Sequence, residues 1–253
     1  MAAAKENDYA FFKNFKEYRE SIKKLQNGTL SSLEDNKCNS FRSDPRFVQL
    51  NNSEQICKDF KSLSNSMVSF QDERAGDSTR HISACGFLNY WLNDKLRYDG
   101  NDVLNYVKNF YEKLQEDNDF DKDKLLKNNI YDINYVDLKN LRVLYNLYDN
   151  LYKITAIIGN KPVSISYTCA YYTSTCVEEY KEAKILCNDE DSIFCKALDE
   201  FRASYISVQN DPNDEKGCHL NTLGKLPTNE EILLHRSTLL GGKIYPFRTM
   251  DES

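Results

Sequence analysis

Cysteines are the residues in this sequence whose type and number most clearly suggest chemistry. The chain has 253 residues, and eight of them are cysteines. They are Cys38, Cys57, Cys85, Cys169, Cys176, Cys187, Cys195 and Cys218. No two form a C-x-x-C pair, and the three histidines do not fall at zinc-finger spacing, so we predict no metal ligand. An even number of scattered cysteines favours disulfides and an oxidising compartment over eight reduced thiols in a cytosolic protein.

One cysteine also has a neighbour that would be needed for nucleophilic catalysis. His81 precedes Cys85 by four residues, so the two side chains share a face if the helix begins early enough. The sequence identifies no third group to orient the histidine, and it lacks the phosphate-binding, nucleophile-elbow and zinc-protease motifs. We therefore predict that Cys85 is structural, that there are no catalytic or cofactor-binding residues, and that the protein is not an enzyme.

The overall charge and hydropathy exclude two further classes of protein. The net charge is −6, whereas a nucleic-acid-binding protein needs a basic face to neutralise phosphates. No run of about 18 apolar residues is present, so we predict no transmembrane span. The first residues do not form a classical signal peptide, so a secreted form would use another export route or a leader missing from this chain. Residues 116–123 are acidic but lack the glycine and glutamate of an EF-hand, which predicts a solvated connector.

The spacing of apolar residues predicts helices along most of the chain. With only 9 Gly and 5 Pro, the composition suits long helices better than a β-sandwich. Apolar residues recur every three or four positions, as on one face of a helix. The predicted helices cover about 8–28, 53–70, 85–96, 102–114, 137–158, 168–187 and 191–208. The wide apolar sector of 137–158 suggests a central position. We predict an all-α, disulfide-stabilised bundle of about seven or eight helices.

The helix around residues 85–96 holds the only tryptophan of the chain. Cys85, Leu88 and Trp91 share one face, and a side chain as large as Trp91 is rarely exposed to solvent. We predict that Trp91 anchors the core, whereas Asn93, Asp94 and Lys95 turn partly outward.

The predicted helices limit how the cysteines can pair. Cys169, Cys176 and Cys187 are seven or more residues apart on one helix, and seven residues separate Cα atoms by about 10.5 Å, beyond the limit of about 7 Å for a disulfide. A bridge between Cys187 and Cys195 would close a helical hairpin. Cys218 could pair with Cys169 or with Cys176. The remaining three, Cys38, Cys57 and Cys85, would then need one partner from the second half of the chain.

The stretch from Cys85 to Leu96 also carries a family resemblance. Cys85 and the residues FLNYWLNDKL that follow at 87–96 resemble the C-x-(F/Y)-L-N-Y-W-L-x-D-K-L signature of the Plasmodium interspersed repeat (PIR) family, and are most similar to its Vir branch. The Tyr-rich segment at 144–152 and the later cysteine-rich helices extend the likeness over about residues 8–220, with less specific motifs.

The resemblance implies a domain organisation and a function. It implies a PIR-like helical ectodomain over residues 1–220. For the tail at 221–253, the residues themselves predict a short helix after the capping box at Thr228 and an otherwise flexible end. PIR proteins are variant surface antigens exported to the malaria-infected red cell, at its surface or associated membranes. They take part in antigenic variation, immune evasion and host-cell interaction.

The expected partners are a host protein or cell-surface receptor and antibodies, with contacts through exposed loops such as 71–80 and 116–135. Many family members end in a transmembrane helix, so this chain is either a truncated ectodomain or a member without an anchor. The alternative function is an exported structural or remodelling protein inside the infected host cell.

Overall fold

All regular elements in the part of the chain that the structure describes are helices. The computed structural model describes residues 1–30, 36–68, 78–97, 105–161, 166–187, 189–209, 218–222 and 224–239. The α-helices are α1 (Glu6–Tyr9), α2 (Phe15–Gln26), α3 (Asn39–Arg42), α4 (Ser53–Val68), α5 (Ser78–Leu96), α6 (Tyr106–Leu114), α7 (Tyr135–Ile158), α8 (Cys169–Leu186), α9 (Ile193–Gln209) and α10 (Asn229–Leu239). Short 3₁₀ helices cover Ala10–Asn14 and Asn36–Cys38. The predicted all-α, disulfide-stabilised fold is confirmed.

The chain divides into two compact units. The first covers Met1–Tyr148 and the second Asp149–Ser253, so the boundary lies within α7. In the second unit α8 contacts both α9 and α10. The division into residues 1–220 and 221–253 was drawn from family similarity and stays a prediction. The tail beyond residue 239 lies outside the described residues.

The amino-terminal helix predicted for residues 8–28 is interrupted. A 3₁₀ turn at Ala10–Asn14 separates α1 from α2, and Phe11 and Phe12 within it are both buried. The Phe11 ring lies 5.6 Å from the Tyr90 ring, whereas the Phe12 ring lies 5.0 Å from the Tyr148 ring. The change in winding lets two adjacent rings pack against different neighbours, which a single α-helical face does not allow.

Helix α5 occupies the core of the first unit. It contacts α1, α4, α6 and the first 3₁₀ helix, and every side chain from Phe87 to Asn93 is buried. The Trp91 ring is 6 % exposed and lies 6.2 Å from the Phe60 ring, which agrees with its predicted place in the core. The outward orientation predicted for Asn93 is wrong, because Asn93 is fully buried.

Three cysteine pairs lie at disulfide distance. Their Cα atoms are 5.7 Å apart for Cys38–Cys57, 4.7 Å for Cys169–Cys218 and 5.6 Å for Cys187–Cys195. The predicted hairpin bridge between Cys187 and Cys195 is confirmed, and Cys169 is the partner that Cys218 takes of the two proposed.

The pairing predicted between the two halves of the chain is wrong. Cys38 pairs with Cys57, and Cys85 and Cys176 are buried thiols outside the three disulfides. The physical reason is that each bridge joins cysteines of one compact unit. The first unit contains three cysteines and the second contains five, so pairing within a unit leaves one thiol in each.

The structure bears differently on the two loops proposed for receptor contact. Residues 71–77 lie outside the described residues, and 78–80 form the first turn of α5. The segment 116–135 is not simply an exposed loop, since it buries several side chains in the first unit. The buried ones are Phe120, Leu126, Ile130, Asp132 and Ile133.

Candidate functional site

The structure places the candidate nucleophile pair side by side on α5. The Cys85 Sγ atom lies 3.5 Å from Nε2 and 3.9 Å from Nδ1 of His81, because residues four apart in a helix lie one above the other. Both residues line a small cavity of about 80 Å³ in the first unit. Its other lining residues are Lys5, Asn7, Asp8, Ile82, Gly86, Asn129 and Tyr131.

The electrostatic surroundings of Cys85 oppose nucleophilic activation. Burial, and to a smaller extent the negative charge of Asp121, raise the pKa of its thiol from 9.0 to about 12. A catalytic cysteine needs the opposite shift, because the thiolate is the attacking species. At neutral pH the Cys85 side chain is therefore a protonated thiol, with His81 and the Leu125 carbonyl oxygen, 3.9 Å away, as neighbours. The pair meets the distance requirement of a nucleophile and its base but not the charge requirement.

A ladder of polar side chains runs along the buried face of α5. Asn89, Asn93 and Arg97 are spaced four residues apart, and all three are buried. Asn93 Nδ2 donates to the backbone oxygen of Asn89 at 2.9 Å, and Arg97 donates to Asn93 Oδ1 at 3.2 Å. Buried amides are tolerated only when they are hydrogen-bonded, so this ladder must have fixed partners.

Those partners are backbone groups of the irregular segment that precedes α7. The Tyr131 N–H donates to Asn89 Oδ1 at 3.0 Å, and Asn93 Nδ2 donates to the Tyr131 carbonyl at 2.9 Å. The Ile133 N–H donates to Asn93 Oδ1 at 3.0 Å, and Arg97 donates to the Ile133 carbonyl. The two asparagine side chains thus satisfy backbone groups of a buried segment that otherwise pairs through an isolated bridge between Ala2 and Ile133. Two asparagines four apart within an apolar helix were the sequence signal for this role.

Asp8 joins the amino-terminal segment to this ladder. Its carboxylate accepts from Asn89 Nδ2 at 3.0 Å, from the Lys5 N–H at 2.7 Å and from the Tyr131 hydroxyl. Burial, and then the bond to Asp8, raise the pKa of Tyr131 well above its usual range. Ala2 continues the attachment, since its N–H donates to the Asp132 carbonyl at 2.8 Å. Residues 1–8 are therefore attached to the core of the first unit through Ala2 and Asp8, although most of their side chains are exposed.

The acidic connector at residues 116–123 is tied down by lysines rather than arranged around a cation. Asp117 accepts from Lys61 Nζ at 2.7 Å and from Lys37 Nζ. Burial opposes ionisation of Asp117, but the bonds from Lys37 and Lys61 outweigh it and hold its pKa well below the usual range. Among the described residues, no group of three or more His, Cys, Asp or Glu side chains could hold a metal ion.

Cys176 is the corresponding thiol of the second unit. It lies on α8 with no exposed surface, and burial raises its pKa, with the charge of Glu179 as a further cause. Like Cys85, it has the properties of a packed thiol and not those of a reactive one.

The buried polar and thiol groups described above stabilise the fold, so we expect any partner to contact exposed residues instead. No helix in the described ranges is both long and apolar enough to cross a membrane. No family model matches the sequence, and it has no match among curated proteins or solved structures.

Proposed function

We propose that this chain is a non-enzymatic variant antigen of the PIR type, and that it acts in host-receptor adhesion and immune evasion at the malaria-infected red cell. The observation that supports the proposal is the place of the signature stretch. Leu88, Asn89, Leu92 and Asn93 have no exposed surface, and Trp91 has almost none. Most of the signature residues thus specify the core and its hydrogen bonds, whereas Asp94 is half-buried and Lys95 is exposed.

A fold specified in this way suits antigenic variation. Surface substitutions away from caps and buried networks usually change stability by less than about 0.5 kcal/mol. Because α5 and its ladder lie inside the first unit, exposed residues of the other helices can change without disturbing the scaffold. Such a protein presents different surfaces to antibodies and receptors while it keeps one fold.

The chemistry of Cys85 supports the non-enzymatic part of the proposal. Cys85 Sγ lies 3.5 Å from His81 Nε2 on the same helix, and burial keeps the thiol protonated. An enzyme built on this pair would need the reverse shift.

The alternative is an exported structural or remodelling protein inside the infected host cell. The two thiols outside the disulfides are the observation that favours it, since cysteines in a reducing compartment stay reduced. The two hypotheses predict different oxidation states for the other six cysteines. Those six would be oxidised in a surface antigen and reduced in a protein that remains in the host cytosol.

The test combines the redox state of the native protein with cell binding. Protein purified from infected cells is alkylated under denaturing conditions without reductant, and its intact mass is measured. We expect two labels, on Cys85 and Cys176. Eight labels would contradict a surface location. The folded chain, multimerised and fluorescent, is then incubated with host cells before and after trypsin treatment. Saturable binding that trypsin abolishes is expected, with the reduced and alkylated chain as control. Absence of any saturable binding would reject the adhesion function.

A further inference from the structure

We propose that the tip of the α8–α9 hairpin is a docking surface for a basic partner protein that offers an apolar recess. We define the tip as the described residues 186–187 and 189–193. The inference rests on the proposed adhesion function and adds to it the part of the molecule that makes contact and the chemistry of the partner.

A disulfide and local hydrogen bonds constrain the described residues of the tip. The Cys187–Cys195 disulfide closes the loop with Cα atoms 5.6 Å apart. Within the loop the Asp191 N–H donates to Asp189 Oδ1 at 3.0 Å, and the Ser192 N–H donates to the Asp189 carbonyl at 3.1 Å. The Cys195 N–H donates to Ser192 Oγ at 3.3 Å, which caps α9. A surface fixed before binding loses little conformational entropy when it binds.

Two large apolar side chains flank this closed loop and point to solvent. Leu186 is 65 % exposed at the end of α8, and Ile193 is 37 % exposed at the start of α9. In contrast, Phe194, Leu198 and Phe201 of α9 are buried. Burying a fully exposed leucine contributes about 1.5–3 kcal/mol. The exposed apolar surface of these two side chains is therefore available to stabilise a complex with a partner.

The charges around these side chains indicate the partner. Asp189, Glu190 and Asp191 follow one another and are all exposed, and Lys196 Nζ lies 3.5 Å from Asp191 Oδ1. Three successive exposed carboxylates favour a basic protein surface as the partner. An anionic lipid surface would be repelled by the same carboxylates, so a membrane is the disfavoured occupant.

The test uses random-sequence peptides displayed on phage and selected on the folded, disulfide-intact chain. We expect the selected peptides to combine Lys or Arg with large apolar residues. Their affinity should fall at least about tenfold for the double variant L186S/I193S and for the triple variant D189N/E190Q/D191N. The matched control, E178Q/E182Q/E200Q, removes three exposed carboxylates from α8 and α9 outside the tip and should bind as the parent does. Circular dichroism and disulfide mapping establish that each variant is folded.

Several outcomes would overturn the inference. The tip is not the docking surface if the selected peptides lack basic residues or bind the tip variants as tightly as the parent. The same conclusion follows if the control variant loses as much affinity as the tip variants. Binding of the parent to phosphatidylserine vesicles that the tip variants lose would replace the protein partner with a membrane and also reject it. The proposed function is judged separately, because cell binding that survives the tip variants leaves adhesion intact and rejects only the tip.

Discussion

A Cβ atom on Gly86 would lie 2.3 Å from the backbone carbonyl oxygen of Asn7. Real Cβ contacts do not reach that distance, and the atom in the way is backbone and cannot rotate aside. The absence of a side chain at Gly86 is therefore what allows α1 to lie directly against α5. This contact also brings Asp8 within reach of Asn89 and so connects the amino-terminal segment to the polar ladder.

The first prediction concerns Gly86→Ala. On helix propensity alone this change would stabilise α5 by about 1 kcal/mol, but the clash with Asn7 should reverse the sign and destabilise the first unit by about 1–3 kcal/mol. Denaturant unfolding measures the change, and hydrogen exchange of residues 1–9 should become faster. The comparison variant is Gly28→Ala, where φ is +67° and no atom lies within 4 Å, so only backbone strain of about 1 kcal/mol is expected. A Gly86→Ala variant as stable as the parent would refute the contact.

The second prediction concerns the polar ladder. Asn93→Ala removes the acceptor of the Ile133 N–H and the donor to the Tyr131 carbonyl, and both groups are left in the core. Since each unsatisfied buried group costs about 1–3 kcal/mol, we expect a loss of about 3 kcal/mol in the free energy of unfolding. Asn118→Ala, in the exposed connector, should change it by less than about 0.5 kcal/mol. Equal effects of the two substitutions would show that the ladder does not support the fold.

The third prediction concerns the reactivity of the two thiols. With a pKa of about 12 in place of 9.0, Cys85 holds roughly a thousandfold less thiolate near neutral pH, and both thiols are buried. Native N-ethylmaleimide labelling should therefore be slower than that of a free cysteine by at least about 10³, and denaturation without reductant should release two thiols. Rapid labelling of Cys85 in the folded chain would reopen the case for an enzyme.

The same shift predicts an alkaline limit to stability. A thiol whose pKa is raised in the folded state keeps its proton at a pH where the unfolded chain has lost it. Rising pH therefore stabilises the unfolded state relative to the folded state. Stability should therefore fall between the unfolded pKa of about 9 and the folded pKa of about 12. Cys85→Ala should reduce this slope, and unchanged pH dependence in the variant would contradict the assignment.

The fourth prediction concerns acid pH. Hydrogen bonds from Arg46, and further bonds from Lys113, hold the pKa of Asp44 well below its usual range, as the lysines do for Asp117. A carboxylate with a lowered folded pKa stabilises the fold above its unfolded pKa, near 3.8, and the contribution is lost as the pH falls below that value. The midpoint of thermal unfolding should drop as the pH is lowered from about 5 to about 2.5.

Substitution separates this effect from general acid denaturation. Asp44→Asn should lower stability at pH 7 and flatten the acid dependence, because the paired carboxylate is gone. Asp191→Asn, whose side chain is 96 % exposed, should leave both nearly unchanged. An identical acid slope in the parent and in Asp44→Asn would show that this ion pair does not contribute.

The sequence by itself determined the fold class and most helices. The spacing of Ile56, Phe60 and Leu63 predicted α4, and the capping box at Thr228 predicted α10, in which Glu231 accepts from the Thr228 N–H. These features are local, since they depend on residues three or four apart on one helix. The Cys187–Cys195 bridge was predictable for the same reason, because only a short turn separates the two cysteines.

Only the tertiary structure decided which residues meet across the chain. Asn93 was expected to turn partly outward, away from the face of Cys85, Leu88 and Trp91. Its partners at residues 131–133 lie some forty positions away in the chain and bury it. Cys38 and Cys57 pair because the 3₁₀ helix at Asn36–Cys38 and the adjoining α3 pack against α4, and the pairing leaves Cys85 as a thiol. The pattern of one helix carries no information about which distant segment will satisfy its polar groups, and burial of such groups requires that segment to be present.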